Sequence, residues 1–138
     1  MQLHTYINFR GKCAEAFRYY EKHLGAKIGM MMKFGEAPDQ TGIPPDMKDS
    51  VLHANLDIGG TRLMGADTPS TEPMGRAYLT LSTDSDAEAE RTFAALSDGG
   101  QVLQPMAETF FATRYGQVRD RFGTNWIVIH ERAMQPPA

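Results

Sequence analysis

Hydrophobic and polar positions alternate from Leu3 to Phe9, with Leu3, Thr5, Ile7 and Phe9 on one side and His4, Tyr6 and Asn8 on the other. A period of two predicts a strand lying between two unlike environments. From Lys12 the period changes. Cys13, Phe17, Tyr20 and Leu24 recur at helical spacing, while Glu15, Arg18, Glu21 and Lys22 fill the opposite face. Gly25 supplies a left-handed stop. A strand is expected over Lys27–Phe34, followed by a Pro-, Asp- and Gly-rich loop, GEAPDQTGIPPDMKD. Val51–Ile58 and Arg62–Ala66 then read as a hairpin turned by Gly59 and Gly60.

The plan repeats. Ala77–Thr83 alternates, Ser85 with Glu88 offers a capping box, and Ala89, Phe93 and Leu96 mark the buried face of a second helix ended by Gly99 and Gly100. Gln101–Gln104, Tyr115–Asp120 and Asn125–Glu131 supply three further strands. Phe17 and Phe93, like Gly25 and Gly100, lie about 75 positions apart, the mark of an internal duplication. The expected fold is α+β, one domain over 1–138, with a βαβββ module over about 1–68 and another over about 75–132. TPSTEPMG joins them, and RAMQPPA reads as a frayed tail.

Each module is expected to be a curved mixed sheet with its helix on the outer face, so the other face of each sheet needs cover. Two such sheets, side by side or exchanged across a dimer, would form a cup. The apolar parities (Thr5, Ile7 and Phe9; Leu79 and Leu81) would then pack the helices, and the mixed parities (His4, Tyr6 and Asn8; Tyr78, Thr80 and Ser82) would face the cup. Exposed edges and apolar faces on an incomplete cup favour a homodimer.

Composition adds limits. The chain of 138 residues is 41% hydrophobic and 22% charged, ordinary values for one globular domain. No run approaches the ~18 apolar residues of a membrane span, and the N-terminus carries no signal-peptide pattern. Net charge is −3 with no basic stripe; Arg114, Arg119 and Arg121 are interrupted by Asp120, so nucleic acid is not an expected partner. The lone Cys13 excludes an internal disulfide and is compatible with a cytoplasmic location.

Candidate chemistry lies on the polar parities. His53 and Asn55 share one side of their strand, opposite Leu52, Ala54 and Leu56, and suit a hydrogen-bonding pair able to hold a polar ligand or move a proton near neutral pH; a structural histidine is the alternative. His4 lines the pocket or caps a strand start. His23 suits a helix C-terminus, and His130 has no partner legible in the sequence. Cys13 sits at a helix N-terminus, where a thiolate is stabilised, yet also on the buried stripe, which favours core packing. Asp84, Asp86, Glu88 and Glu90 suit the helix dipole rather than a catalytic pair. Phe110 and Phe111 cannot both face one core, so one projects into the cup, toward a partner, or packs within its loop. Met30, Met31 and Met32 place adaptable apolar surface on the second strand. No G-x-S-x-G elbow and no G-x-G-x-x-G cradle is present. The candidate ligand pocket is therefore His4, Tyr6, Asn8, His53, Asn55, Tyr78, Thr80 and Phe111.

The stretches TYINFRGKCAEAFRYYEKHLGA, FGE (Phe34–Glu36), HANLDIGGTRLMGAD and ETFFATRYGQVRDRFGTNWIVIHE, in that order and spacing, resemble the PhnB-like branch of the glyoxalase/bleomycin-resistance (vicinal oxygen chelate) superfamily from about Leu3 to Glu131. The resemblance implies paired βαβββ modules, usually dimeric, around a small-molecule cup. Metal-dependent members hold one divalent ion with four His, Glu or Gln side chains that polarises substrate oxygens. Those positions carry over to His4, Met64, the neighbourhood of Tyr78, and Ile127. One imidazole remains of four donors, so the resemblance implies neither the usual metal site nor a cofactor. Three functional classes stay open: a metal-free binder of an unknown small molecule; an enzyme, either metal-dependent through another ligand set or histidine-based, acting as a lyase, isomerase or transferase on a small polar substrate; and a structural dimer whose cup fills itself.

Overall fold

A computed structural model describes residues 1–69 and 72–133, which divide into two compact units, Met1–Glu72 and Pro73–Ala138. The expected tail lies outside the described residues beyond residue 133, as do Ser70 and Thr71 of the joining segment. Each unit follows the βαβββ plan, and the class is α+β.

In the first unit, β1 (Thr5–Asn8), α1 (Cys13–His23), β2 (Lys27–Lys33), β3 (Val51–Ile58) and β4 (Thr61–Ala66) form a four-stranded sheet in the order β1-β4-β3-β2 with one helix. β1 pairs parallel to β4, and the other pairings are antiparallel. Phe34–Glu36 and Pro45–Met47 form 3₁₀ turns within the expected loop. β1 is shorter than its alternation suggests. Its pairing starts where Thr5 faces Leu63, and Leu3 and His4 lie before it, exposed.

The helix stripe behaves as its spacing predicts through Tyr20. Cys13, Phe17 and Tyr20 are fully buried with Ala16, while Leu24, at the helix C-cap, is half-buried; Phe9, just past β1, stands edge-on to Phe17 at 5.5 Å and tilted to Tyr20 at 6.3 Å. Each such buried aromatic contributes about 2 kcal/mol of apolar burial. Thr5, expected on the packed side, is exposed. Gly65 makes this packing possible. A Cβ there would lie 2.9 Å from Phe17, 3.0 Å from Phe9 and 3.1 Å from the Cys13 sulfur.

β2 carries a β-bulge. Ile28 faces Leu56, but Met30 faces Asn55, so Gly29 is the extra residue. Beyond it Met31 faces the buried Ala54, while Met30 and Met32 face Asn55 and His53 on the opposite side. A second irregularity sets Lys33 opposite Val51. There the parity expected through Leu52 breaks: Val51 is buried and Leu52 half-buried.

In the second unit, β5 (Leu79–Ser82), α2 (Asp86–Ser97), β6 (Gln101–Ala107), β7 (Ala112–Arg119) and β8 (Asn125–Glu131) give a sheet in the order β5-β8-β7-β6. α2 buries Ala89, Thr92, Phe93 and Leu96, and Gly116 of β7 accepts the Phe93 ring, leaving 2.7 Å to a hypothetical Cβ. The capping box is present: Ser85 Oγ accepts from Glu88 N at 3.0 Å, and Glu88 accepts from Asp84 N. β6 continues past the expected Gln104 through Pro105, which an outermost strand tolerates because it lacks one neighbour. β5 starts at Leu79 because Asn125, at the head of β8, gives its amide to the Gly75 and Ala77 carbonyls.

α1 has no comparable cap of its own; the Lys12 side chain makes no cap hydrogen bond. Asp67, one residue past β4 and 4% exposed, supplies it from across the unit. Its Oδ1 accepts from Gly11 N at 2.8 Å and Cys13 N at 2.9 Å, and its Oδ2 accepts from Val51 N at 2.9 Å. Replacement by Ala would leave these N–H groups, two of them buried, without an acceptor. Asp67→Ala is therefore expected to destabilise the chain by about 3 kcal/mol, measured by urea unfolding beside an exposed control, Asp46→Ala, that shifts the midpoint little.

Candidate functional site

On the first unit's sheet, the face opposite α1 follows from register. Tyr6 pairs with Met64, Met64 with Asn55, and Asn55 with Met30, which forms a row across all four strands. The next row places His53 beside Met32. The Tyr6 and His53 rings stack at 6.1 Å and 24°. Partial burial, with the Cys13 thiol, raises the Tyr6 phenol above its ordinary value, so it stays neutral. Among the described residues, Asn55 Nδ2 reaches the Met30 sulfur alone, at 4.0 Å, and the buried Asn55 Oδ1 has no hydrogen-bond partner.

Of the residues singled out from sequence, the structure thus gathers Tyr6, His53 and Asn55. The ring His53 meets is that of Tyr6; His4 lies exposed ahead of β1. Asn8 is engaged in holding the chain: its Nδ2 donates to Thr68 O, and its Oδ1 accepts from Thr68 N and Arg10 N. Met30 and Met64 complete the row. Met64 entered the sequence reading only as a position lacking a metal donor, and Met30's side of the strand was hidden by the bulge.

On the second unit's sheet the helix-free face carries Thr80, Ile127 and Gln117 in register across β5, β8 and β7. Gln117 Nε2 donates to the Tyr115 hydroxyl at 2.9 Å, and Phe111 stands edge-on to Tyr115 at 5.5 Å. Phe110 is 89% exposed but stands edge-on to Phe111 at 5.1 Å, so the two adjacent phenylalanines pack against each other within their loop. Tyr78 is also exposed, one residue before β5. Tyr115 and Gln117 were missed, although their alternation with Gly116 and Val118 is visible in RYGQVR.

His130 has partners after all. Its Nδ1 lies 2.8 Å from Asp86 Oδ1 and 3.0 Å from Thr113 Oγ1, Thr113 donates to Asp86 at 2.5 Å, and Arg114 bridges Asp86 and Glu90. This cluster ties the first turn of α2 to β7 and β8. A cleft of about 360 Å³ opens in the first unit near Arg10, Asp46, Met47, Ser50 and Thr68, and there both Asp67 oxygens are committed to backbone N–H groups.

The residues do not fit a divalent ion of the superfamily type. His4 and Met64 stand at the carried-over positions of the first unit, Tyr78 and Ile127 at those of the second, and an alkyl chain donates nothing. Among the described residues no group of three His, Cys, Asp or Glu side chains is placed to hold a metal ion, and no helix is long and apolar enough to cross a membrane.

The family model described as 3-demethylubiquinone-9 3-methyltransferase matches residues 1–129. The chain belongs to that family. Protein YjdN of Escherichia coli K12 is 32% identical, covering 93% of this chain and 94% of its own. Protein PA1353 of Pseudomonas aeruginosa is 40% identical with a TM-score of 0.87, over 96% of this chain and 99% of that one. The PhnB protein of Bacillus cereus is 20% identical with a TM-score of 0.79, over 94% and 99%. A glyoxalase/bleomycin-resistance/dioxygenase protein of Alicyclobacillus acidocaldarius and a fosfomycin-resistance protein of Mesorhizobium loti, 14% and 13% identical with TM-scores of 0.59 and 0.62, share the fold that the sequence resemblance implied.

Two outcomes follow from this chemistry. Cys13 is fully buried, and burial, aided by the Asp67 carboxylate, pushes its thiol up to about 12. The native chain at about pH 8 is expected to resist iodoacetamide and to take up one equivalent only after denaturation, as mass spectrometry would show. Asp86 is held below its ordinary carboxyl value, first by the His130 and Thr113 hydrogen bonds and then by Arg114. A depressed carboxyl stabilises above its unfolded pKa, and that stability is lost as pH falls through the folded one. Asp86→Ala should accordingly lower the melting temperature at neutral pH, with the gap from wild type closing below about pH 4.

Proposed function

We propose that the chain binds a small organic molecule on the helix-free faces of its sheets, as a homodimer and without the superfamily's divalent ion. The observation that carries this reading is the open row Tyr6–Met64–Asn55–Met30, where a buried amide oxygen lacks a donor. A sheet face closed by its own side chains pairs such groups; one that takes a ligand leaves them for it. The aromatic and amide groups around Tyr115 support the same reading in the second unit. The neighbours range from a fosfomycin resistance protein to a family described by methyl transfer, so the fold alone selects no reaction.

Native mass spectrometry of untagged, freshly purified protein tests this reading. A dimer that retains an organic ligand or takes one up from a fragment library, with methyl signals of Met30 and Met64 shifted in NMR spectra of the complex, is the expected result. Near-stoichiometric divalent metal that disappears in His4→Ala would replace the reading with a metalloenzyme. Retained S-adenosylmethionine would replace it with the methyl transfer named by the family description.

A further inference from the structure

We infer that the first unit's open face takes an uncharged planar ring bearing an N–H or O–H donor, and that the Asn55 carbonyl oxygen reads that donor. The inference rests on the small-molecule reading above and names its ligand class. The side chains of Met64 and Met30, the register neighbours of Asn55, have no hydrogen to give, and among the described residues the amide nitrogen has only a thioether as acceptor. An unpaired buried carbonyl costs about 1–3 kcal/mol, which an arriving donor removes. The rest of the row suits a flat ring: thioethers conform to aromatic faces and edges, and the stacked Tyr6–His53 pair offers an aromatic edge beside them.

The row carries no carboxylate, ammonium or guanidinium group. The charged residues next along β3 and β4, Asp57 and Arg62, face each other in register, and Asp57 also accepts from Gly60 N. An ionic ligand would give up its hydration without gaining a counter-charge in the row. A neutral ring loses little on entry, and its donor gains the Asn55 carbonyl oxygen as a partner.

The test is NMR titration of the intact chain, labelled at methionine methyls and backbone amides, with indole and with benzofuran, its isostere in which oxygen replaces the N–H. Indole is expected to shift the Met30 and Met64 methyls and the amides of Tyr6 and Asn55, and to bind about tenfold more tightly than benzofuran. Asn55→Leu should reduce that preference to less than twofold, with Asn55→Ala as the second variant should the first fail to fold. Equal affinity for the two probes in wild type overturns the donor inference yet leaves the binding reading intact. So does a preference that survives in a folded Asn55 variant. Indole-3-carboxylate binding more tightly than indole overturns the uncharged class. If no fragment of any kind moves the Met30 and Met64 methyls, the small-molecule reading of this face fails as a whole.

Discussion

One buried carboxylate holds the first unit's elements to one another. Asp67 leaves the end of β4 and collects N–H groups from the turn before α1, from the first residue of α1 and from the first residue of β3. Without it the helix would begin with unpaired donors, because Lys12 offers no cap. With it, the start of the helix is placed against the sheet to within the tolerance of a hydrogen bond. That placement puts Phe17 over Gly65, and Phe17 with Phe9 then fills the space under the helix. The helix-free face inherits the result, since Tyr6 lies on the strand that runs into Phe9 and Met64 on the strand that carries Gly65.

The second unit solves the same problem with different parts. Its helix is capped locally by Ser85, and its buried carboxylate, Asp120, holds the β7–β8 turn instead, accepting from Phe122 N, Thr124 N and the Trp126 indole. Its helical phenylalanine meets a glycine on β7, whereas the first unit's meets one on β4. The two units therefore share the order of elements and a helical phenylalanine set against a strand glycine, while residues at different places in the chain secure each.

Much of this was legible in the sequence where a local rule sufficed. The 13-17-20 stripe, the Ser85–Glu88 box and the Gly59-Gly60 turn each depend on residues close together in the chain, and each stands where periodicity put it. Asp67 was not legible, because its partners lie 54, 56 and 16 positions away. The site was read in part. Tyr6, His53 and Asn55 came from strand parity, but parity could not tell that Asn8 would be consumed by Thr68, nor that pairing would stop short of His4 and Tyr78.

The bulge at Gly29 acts on β2 as a frameshift acts on a message. Before it, even-numbered positions face the helix; after it, they face away, and three consecutive methionines that look alike in the sequence are divided between two compartments. The same change of residue therefore has opposite meanings one step apart. A polar side chain at 31 would enter the layer packed on α1, while at 30 or 32 it would join the face where Asn55 waits for a donor. Any lineage that lost the extra residue would exchange the two surfaces of this strand at once, so Gly29 is where the core and the open face of β2 trade places.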